Sequence, residues 1–445
     1  MTLSAQVVAS VLAQRAGGLS DALRRKALLH IADNVAIAVA AREASPLAAL
    51  VRDSLGGQAA HGPSYAFAAS AYGHILDFDD IHDLARVHPT AVTLPAALAV
   101  AGVHRATGTE VLEAVSLSNE LLCRLGMIWK PVGRGPGSDW FLSQLFGYFA
   151  AAISAGIVLR LDAAQLRSAL GLAYMQAAGG KEAGFGTGGN ARAIYPAFAA
   201  MGGVHAALLA RAGIVGPATA LDGSAGFFSL YFGRGLDDGQ TSQLLDPKNC
   251  VWADTHIKPW PSCRHSHPYV LAAQRIRSTL DPQTIERVVV SVNRSAGKLC
   301  SPIDERRRPA TLQDAKYSIP FIVAFTLVKG EVNLKTLDET AIADSRVLAM
   351  AHRVVIHETG GDEPGLPHAR LEVHTAGANS AVAVLDEKFD AHASVQVVRA
   401  KFGACFEHAG LPASASEDAW NAIAGLEQVG SSGLLALMGI ERAAR

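Results

Sequence analysis

The chain has 445 residues, half of them apolar, which is more than one ordinary core accommodates and enough to fill two without disulfide staples. Its formal charge is -1 and no Lys/Arg run exceeds the three of Arg306-Arg307-Arg308, so neither nucleic acid nor an anionic membrane is expected as a partner. The five cysteines, at 123, 250, 263, 300 and 405, are odd in number, scattered and without a Cys-x-x-Cys pair; that excludes a disulfide framework and a zinc knuckle and points to a reducing cytoplasm.

Residues 1–18 carry a lone Arg15 and no basic stretch ahead of an apolar one, so no secretory signal is expected. From residue 3 to about 270 the apolar positions recur at three- and four-residue spacing, the pattern of packed helices. Ser20 opens a stripe of Leu23, Ala27, Ile31, Val35 and Ala38. Pro95 stands where a first helical turn accepts it, ahead of an Ala-rich run to Val103. Thr107-x-x-Glu110, with Gly108 marking a break, has the form of a capping box and feeds Val111, Val115, Ser118, Leu122 and Leu125. Residues 140–159 contain no charge and have the length of a membrane span. Gln144 and many glycines, serines and alanines stand there instead of the Leu, Ile and Val expected against lipid, so a buried central helix is expected, and 193–210, with His205 inside, reads the same way. After residue 280 the texture changes. Residues 287–292 and 353–357 are β-branched runs, and Leu371/Val373 and Val382/Val384 alternate on either side of Gly377-Ala378-Asn379. From Ser394 the spacing is helical again, through Val395, Val398, Phe402, Trp420, Ile423, Leu426 and Leu434. The expected fold is mainly α with a second α+β domain: helices over 1–268, an α+β domain over 269–393, and helices over 394–445 that return to the first part.

Three motifs carry chemistry. Gly184-x-Gly186-x-x-Gly189 has the spacing of a dinucleotide fingerprint, but a helical Ala-rich segment precedes it and no acid follows before Asp222; a loop at the edge of a pocket is expected instead, with no nucleotide or other cofactor. His74-Ile-Leu-Asp77-Phe-Asp79-Asp80-Ile-His82, followed by His88, crowds acids and imidazoles together. It can be a divalent-metal site, although the fixed ligand spacings are missing, or a solvated helix end, which leaves Leu76 and Phe78 unexplained. The third and favoured reading puts Asp77 on the inward face, one turn from His74, to orient a histidine or act as a base, with no metal. Residues 258–268 join Lys258, Cys263, Arg264 and His267 in a loop stiffened by Pro259 and Pro261, with His267 opening a helix; cations and a helix N-terminus there converge on an anion. A basic surface loop is the plain alternative, and a cysteine nucleophile at Cys263 lacks an identifiable His/Asn partner.

These residues together resemble the 2-methylcitrate dehydratase (MmgE/PrpD) family, which includes cis-aconitate decarboxylase and iminodisuccinate epimerase. The likeness runs over nearly the whole length: Leu76-Asp-Phe-Asp-Asp80, His88-Pro89-Thr90 leading into Leu94-Pro-Ala-Ala-Leu98, Glu120 to Gly126, Lys258 to His267, and Ala315-Lys316-Tyr317-Ser318-Ile-Pro320. The resemblance implies a large helical domain built from both chain ends, a smaller α+β lid domain and a homodimer, with Asp77, His88 and Lys258 lining an active site between the domains. Two positions depart from the family pattern: Phe141 stands where relatives place a histidine, and Arg192-Ala-Ile-Tyr195 replaces a Lys-x-Leu-His stretch. Guanidinium stays protonated and clamps carboxylates, whereas an ammonium can exchange a proton. Cys263 stands where some decarboxylase relatives carry a histidine, which disfavours decarboxylation. The expected activity is a cytoplasmic, cofactor-independent lyase that adds or removes water on a small di- or tricarboxylate. His88 moves the proton, Asp77 orients it or serves as partner base, Lys258, Arg192 and Arg264 meet the anion, Tyr195 donates to the leaving hydroxyl, and His267, Phe141 and Cys263 line the substrate. An epimerase or isomerase using the same carbanion, and a binding dimer without catalysis, are the alternatives.

Overall fold

The computed structural model describes residues 1–56, 61–129, 139–184, 187–361, 366, 368–376, 380–385, 394–430 and 432–438. They divide into two compact units, Met1–Lys181 with Ala193–Ile257 and His392–Arg445, and Glu182–Arg192 with Lys258–Ala391. The chain is mainly helical, with a smaller α+β part, as its periodicities indicate.

The first unit is a helical bundle. Helix Gly147–Val158 is buried along its whole length and packs against helices Thr90–Ala101, Gly108–Ile128, Ala163–Tyr174 and Tyr195–Arg211. The small residues that argue against lipid contact permit this crowding: a Cβ added at Gly203 would lie 2.4 Å from Ala151 Cβ, so the two helices meet nearly backbone to backbone. The uncharged 140–159 stretch is divided at Phe146 into Leu142–Leu145 and Gly147–Val158. Among the described residues one stretch, Ala191–Arg211, is long and apolar enough to cross a membrane by length and composition, and 61% of its apolar window is buried inside the protein. Helix Asp21–Ala44 begins where expected, with Ser20 Oγ accepting from the Leu23 N–H. Thr107 and Glu110 form a complete capping box on helix Gly108–Ile128. Pro95 does not open its helix. That helix starts five residues earlier at Thr90, because the Asp80 carboxylate, remote in sequence, accepts the Thr90 N–H at 3.2 Å and supplies the cap. A two-residue ladder joins β1 (Ile81–His82) to β2 (Thr255–His256).

The second unit is built on a four-stranded sheet. Its strands are β3 (Ile285–Val292), β4 (Val354–Glu358), β5 (Ala369–Thr375) and β6 (Ser380–Leu385), in the order β4-β3-β5-β6. β4 runs parallel to β3, and the other pairs are antiparallel, with Val290 opposite Ile356 on one side and Leu371 on the other. Val288, Val290 and Val292 alternate inward on β3, as Leu371 and Val373 do on β5, and helices His267–Arg277 and Ile319–Lys329 cover that face. The turn expected at 377–379 lies outside the described residues.

Candidate active site

In the first unit, helix Gly62–His74 ends on the residue that begins the acidic motif. The chain then turns sharply: the Asp77 N–H donates to the His74 carbonyl at 2.8 Å, and Asp77 takes φ +51°. Aspartate is one of the few residues with a side chain that tolerates this left-handed region. Beyond the turn, Asp79 Oδ2 lies 2.8 Å from His74 Nδ1 and 3.2 Å from His88 Nδ1, so one carboxylate oxygen is shared by two imidazoles. The helix stops at His74, so Asp77 stands at the corner of the turn and not on the helical face expected for it. The next residue, Asp80, forms its own set with His30 Nδ1 at 2.7 Å and the Thr90 hydroxyl at 2.5 Å. Two adjacent carboxylates thus anchor three histidines and the start of helix Thr90–Ala101, two residues after His88.

With Nδ1 turned toward Asp79, each imidazole presents Nε2 as the basic nitrogen. Burial lowers the His74 pKa against the opposing pull of Asp79, with the neighbouring His88 adding to the lowering, and so favours the neutral imidazole at His74. Burial alone would raise the Asp79 pKa, but His74 and His88 outweigh it and hold the carboxyl well below the usual carboxylate range. His74 Nε2 is buried without a hydrogen-bond partner among the described residues, and its ring meets Tyr195 edge-on at 4.9 Å. His88 retains 8% exposure and is the imidazole of the pair that a ligand can reach. Its backbone N–H donates to Ser143 Oγ at 2.8 Å, and Tyr195 Oη donates to the same oxygen at 3.4 Å. Phe141 stacks on Tyr195, with centroids 4.2 Å apart and planes 9° apart, so apolar surface covers that face of the tyrosine ring.

The turn is braced from the far end of the chain. Lys401, on helix Val395–His408, donates to the Phe78 carbonyl at 2.7 Å, lies 3.7 Å above the Phe78 ring and pairs with Asp33 at 2.7 Å. Burial, with Asp80 and Asp79 nearby, pushes the Asp33 carboxyl up to about 7 against the opposing pull of Lys401.

His74, Asp79 and His88 are also the one group among the described residues whose ligand types lie within 4.8 Å of one another and could hold a metal ion. The two Nδ1 atoms already sit at hydrogen-bond distance from a shared oxygen, an arrangement that shares protons; a cation there would first have to displace both.

The second unit holds the remaining candidates. Lys258 is buried to 1% exposure. Arg264 Nη1 donates to His267 Nδ1 at 3.4 Å, while His267 Nε2 donates to the Ser262 carbonyl at 3.1 Å, so the imidazole holds the guanidinium. His267 opens helix His267–Arg277 as expected. The Cys263 N–H donates to the Lys316 carbonyl at 3.0 Å, which joins the 258–268 loop to the Ala315–Pro320 motif. Arg192 lies over the Tyr317 ring, its guanidinium carbon 3.2 Å from the centroid.

His88, Tyr195 and Phe141 are therefore gathered in the first unit beside the Asp77 corner, and Arg264 with His267 in the second. Asp79, Ser143 and Thr90 do not stand out as site residues in the sequence. Asp79 is signalled by its place among the acids, whereas Ser143 reaches His88 only through the fold. The Glu120–Gly126 motif serves a different purpose, since Glu120 accepts from Arg124 at 2.6 Å and from the Val251 and Trp252 N–H groups at 3.0 and 2.8 Å, beside a cleft of about 320 Å³ that contains no residue of the imidazole cluster.

The MmgE/PrpD N-terminal domain matches residues 5–237 and the MmgE/PrpD C-terminal domain residues 260–421. The cis-aconitate decarboxylase-like protein oryM of Aspergillus oryzae is 27% identical over 339 residues, 70% of this chain and 69% of that protein. The cis-aconitate decarboxylase of Aspergillus terreus is 26% identical over 296 residues, 62% of this chain and 59% of that enzyme. The cis-aconitate decarboxylase of Homo sapiens is 25% identical over 308 residues, 66% of this chain and 61% of that enzyme.

Proposed function

Because the chain belongs to the MmgE/PrpD family, we propose that it is a lyase acting on a small di- or tricarboxylate, and that its reaction adds or removes water after proton transfer at carbon. The observation that carries this reading is the Asp79–His88 pair. An imidazole whose Nδ1 faces an ionised carboxylate oxygen 3.2 Å away offers Nε2 as base, and the same carboxylate stabilises the imidazolium once the proton has arrived.

In the elimination direction His88 Nε2 takes the proton from the carbon next to a carboxylate. The electron pair left behind forms the carbon–carbon double bond as the carbon–oxygen bond breaks, and Tyr195 gives its proton to the departing hydroxyl, which leaves as water. Asp77 is the partner base. Negative charge grows on a carboxylate that is already anionic, and fixed cations lower that barrier; Lys258, Arg264 and Arg192 are assigned to this role. No step requires a nucleotide or redox cofactor.

A second reading is favoured by the relatives' names: the same class of substrate loses carbon dioxide instead of water. Incubation of the protein with a panel of di- and tricarboxylic acids in deuterated water, followed by NMR, separates the cases. Loss of water with deuterium at carbon supports the hydro-lyase, and release of carbon dioxide replaces it by the decarboxylase. Exchange or inversion without elimination identifies an epimerase. A protein that binds an acid without changing it is a binding member of the family and refutes the lyase.

A further inference from the structure

Arg306 lies in the short helix Ile303–Arg307 and is 1% exposed. Its Nε donates to the Ser301 carbonyl and its Nη1 to the Tyr317 carbonyl, both at 3.2 Å, while Nη2 is buried and has no acceptor among the described residues. Arg192 approaches the same tyrosine from its ring face. Its Nη1 donates to the Gly184 carbonyl at 3.1 Å, and its Nε is likewise buried without an acceptor among the described residues. Two guanidinium groups of one unit therefore converge on Tyr317, each with an N–H unused.

Neither arginine has a carboxylate within 4.0 Å among the described residues. The nearby acid, Asp314, is spent elsewhere: it accepts the Gly188 N–H on both oxygens at 3.0 Å and the Thr311 hydroxyl at 2.8 Å. The Gly-rich stretch thus finds a use unrelated to nucleotides. Gly188, at φ +81°, lets the backbone turn onto Asp314, and Gly184 offers its carbonyl to Arg192. Leaving buried guanidinium N–H groups unmet is costly, and burial together with the like charge of Arg192 disfavours the cationic form of Arg306. A planar anion with two acceptor oxygens answers both deficits, since guanidinium forks match carboxylates in shape as well as charge.

We propose that Arg306 and Arg192 form a carboxylate-binding site, Arg306 Nη2 and Arg192 Nε donating to one carboxylate group of the polycarboxylate substrate, a step that rests on the reading above. Arg306 is then a specificity-determining residue of the second unit, and Arg192, half-buried, is the member nearer to solvent.

Two measurements on the full-length chain test this. In crystals of the wild-type protein soaked in bromide, an anomalous peak is expected beside Arg306 Nη2 and Arg192 Nε; peaks elsewhere with none at the pair overturn the site. Calorimetric titration with citrate and succinate is then compared between wild type, Arg306→Met, Arg306→Lys and Arg192→Gln. Each variant that keeps the wild-type circular dichroism should bind the tighter acid roughly 10- to 100-fold more weakly. Wild-type affinity in a folded Arg306→Met refutes the assignment, and if that variant does not fold, wild-type affinity in Arg306→Lys and Arg192→Gln refutes it equally. Bromide at the pair, with no carboxylic acid bound by the wild type, leaves the anion site standing and removes the polycarboxylate reading instead.

Discussion

The acid-rich turn of the first unit and the arginine pair of the second handle buried charge in opposite ways. Around Asp79 and Asp80, His30, His74 and His88 each have a carboxylate at Nδ1, and Asp80 is further met by the Thr90 hydroxyl and N–H. Around Tyr317 two guanidiniums have carbonyl oxygens but no carboxylate at ion-pair distance among the described residues. A cluster that answers its own charges holds a geometry and a tautomer without help. One that does not is unfinished until something anionic arrives. The first suits proton transfer and the second suits recognition.

The contrast is tested most strongly at the two imidazoles that share Asp79. His88→Gln should lower turnover by about 10² to 10⁴ with little change in the urea midpoint, whereas His74→Gln should cost stability more than rate. Equal loss of turnover in both would merge the roles assigned to them. Asp79→Asn removes the shared acceptor and leaves two buried imidazoles without it; denaturant melts should show a loss of about 3–5 kcal/mol, together with a fall in rate. A melt unchanged by this substitution would mean that the cluster does not answer its own charges.

Acid titration sharpens the point, because two buried carboxyls of this unit work in opposite directions. Asp79 is held below the ordinary carboxylate value, so its contribution is present above that value and is lost as pH falls toward the depressed one. Asp33 is raised from near 3.8 to about 7, so the folded state retains a proton that the unfolded chain has released, and stability falls as pH rises between those values. Asp33→Asn should flatten that slope by roughly 1.4 kcal/mol for each pH unit of the raised value, read from urea melts at pH 4 to 8. The smallest effect is expected at the exposed capping box: Thr107→Ala should cost about 1 kcal/mol in the same melts and leave turnover unchanged.

Most of the architecture was legible in the sequence because helix and strand periods declare which face is buried, and Ser20, Thr107 and the β-branched runs of β3 and β4 behave as their spacing predicts. Pro95 shows the limit: its helix start was set by an acid ten residues before Thr90, which no local rule inspects. The site was legible as a set of residue types and less so as pairings. His88 and Tyr195 could be singled out from the resemblance, but the approach of Asp79 to His88 could not, since it follows from a turn made by one residue with positive φ. Arg306 gave no signal beyond a basic triplet, because the absence of a partner is visible only once every neighbour has been placed.

The brace at Lys401 carries a consequence for biosynthesis. The corner bearing Asp77 and Asp79 is translated first, and the ammonium that grips the Phe78 carbonyl and Asp33 follows only at position 401. A ribosome-bound nascent chain therefore carries this turn unclamped until residue 401 has cleared the exit tunnel, 323 residues after Phe78.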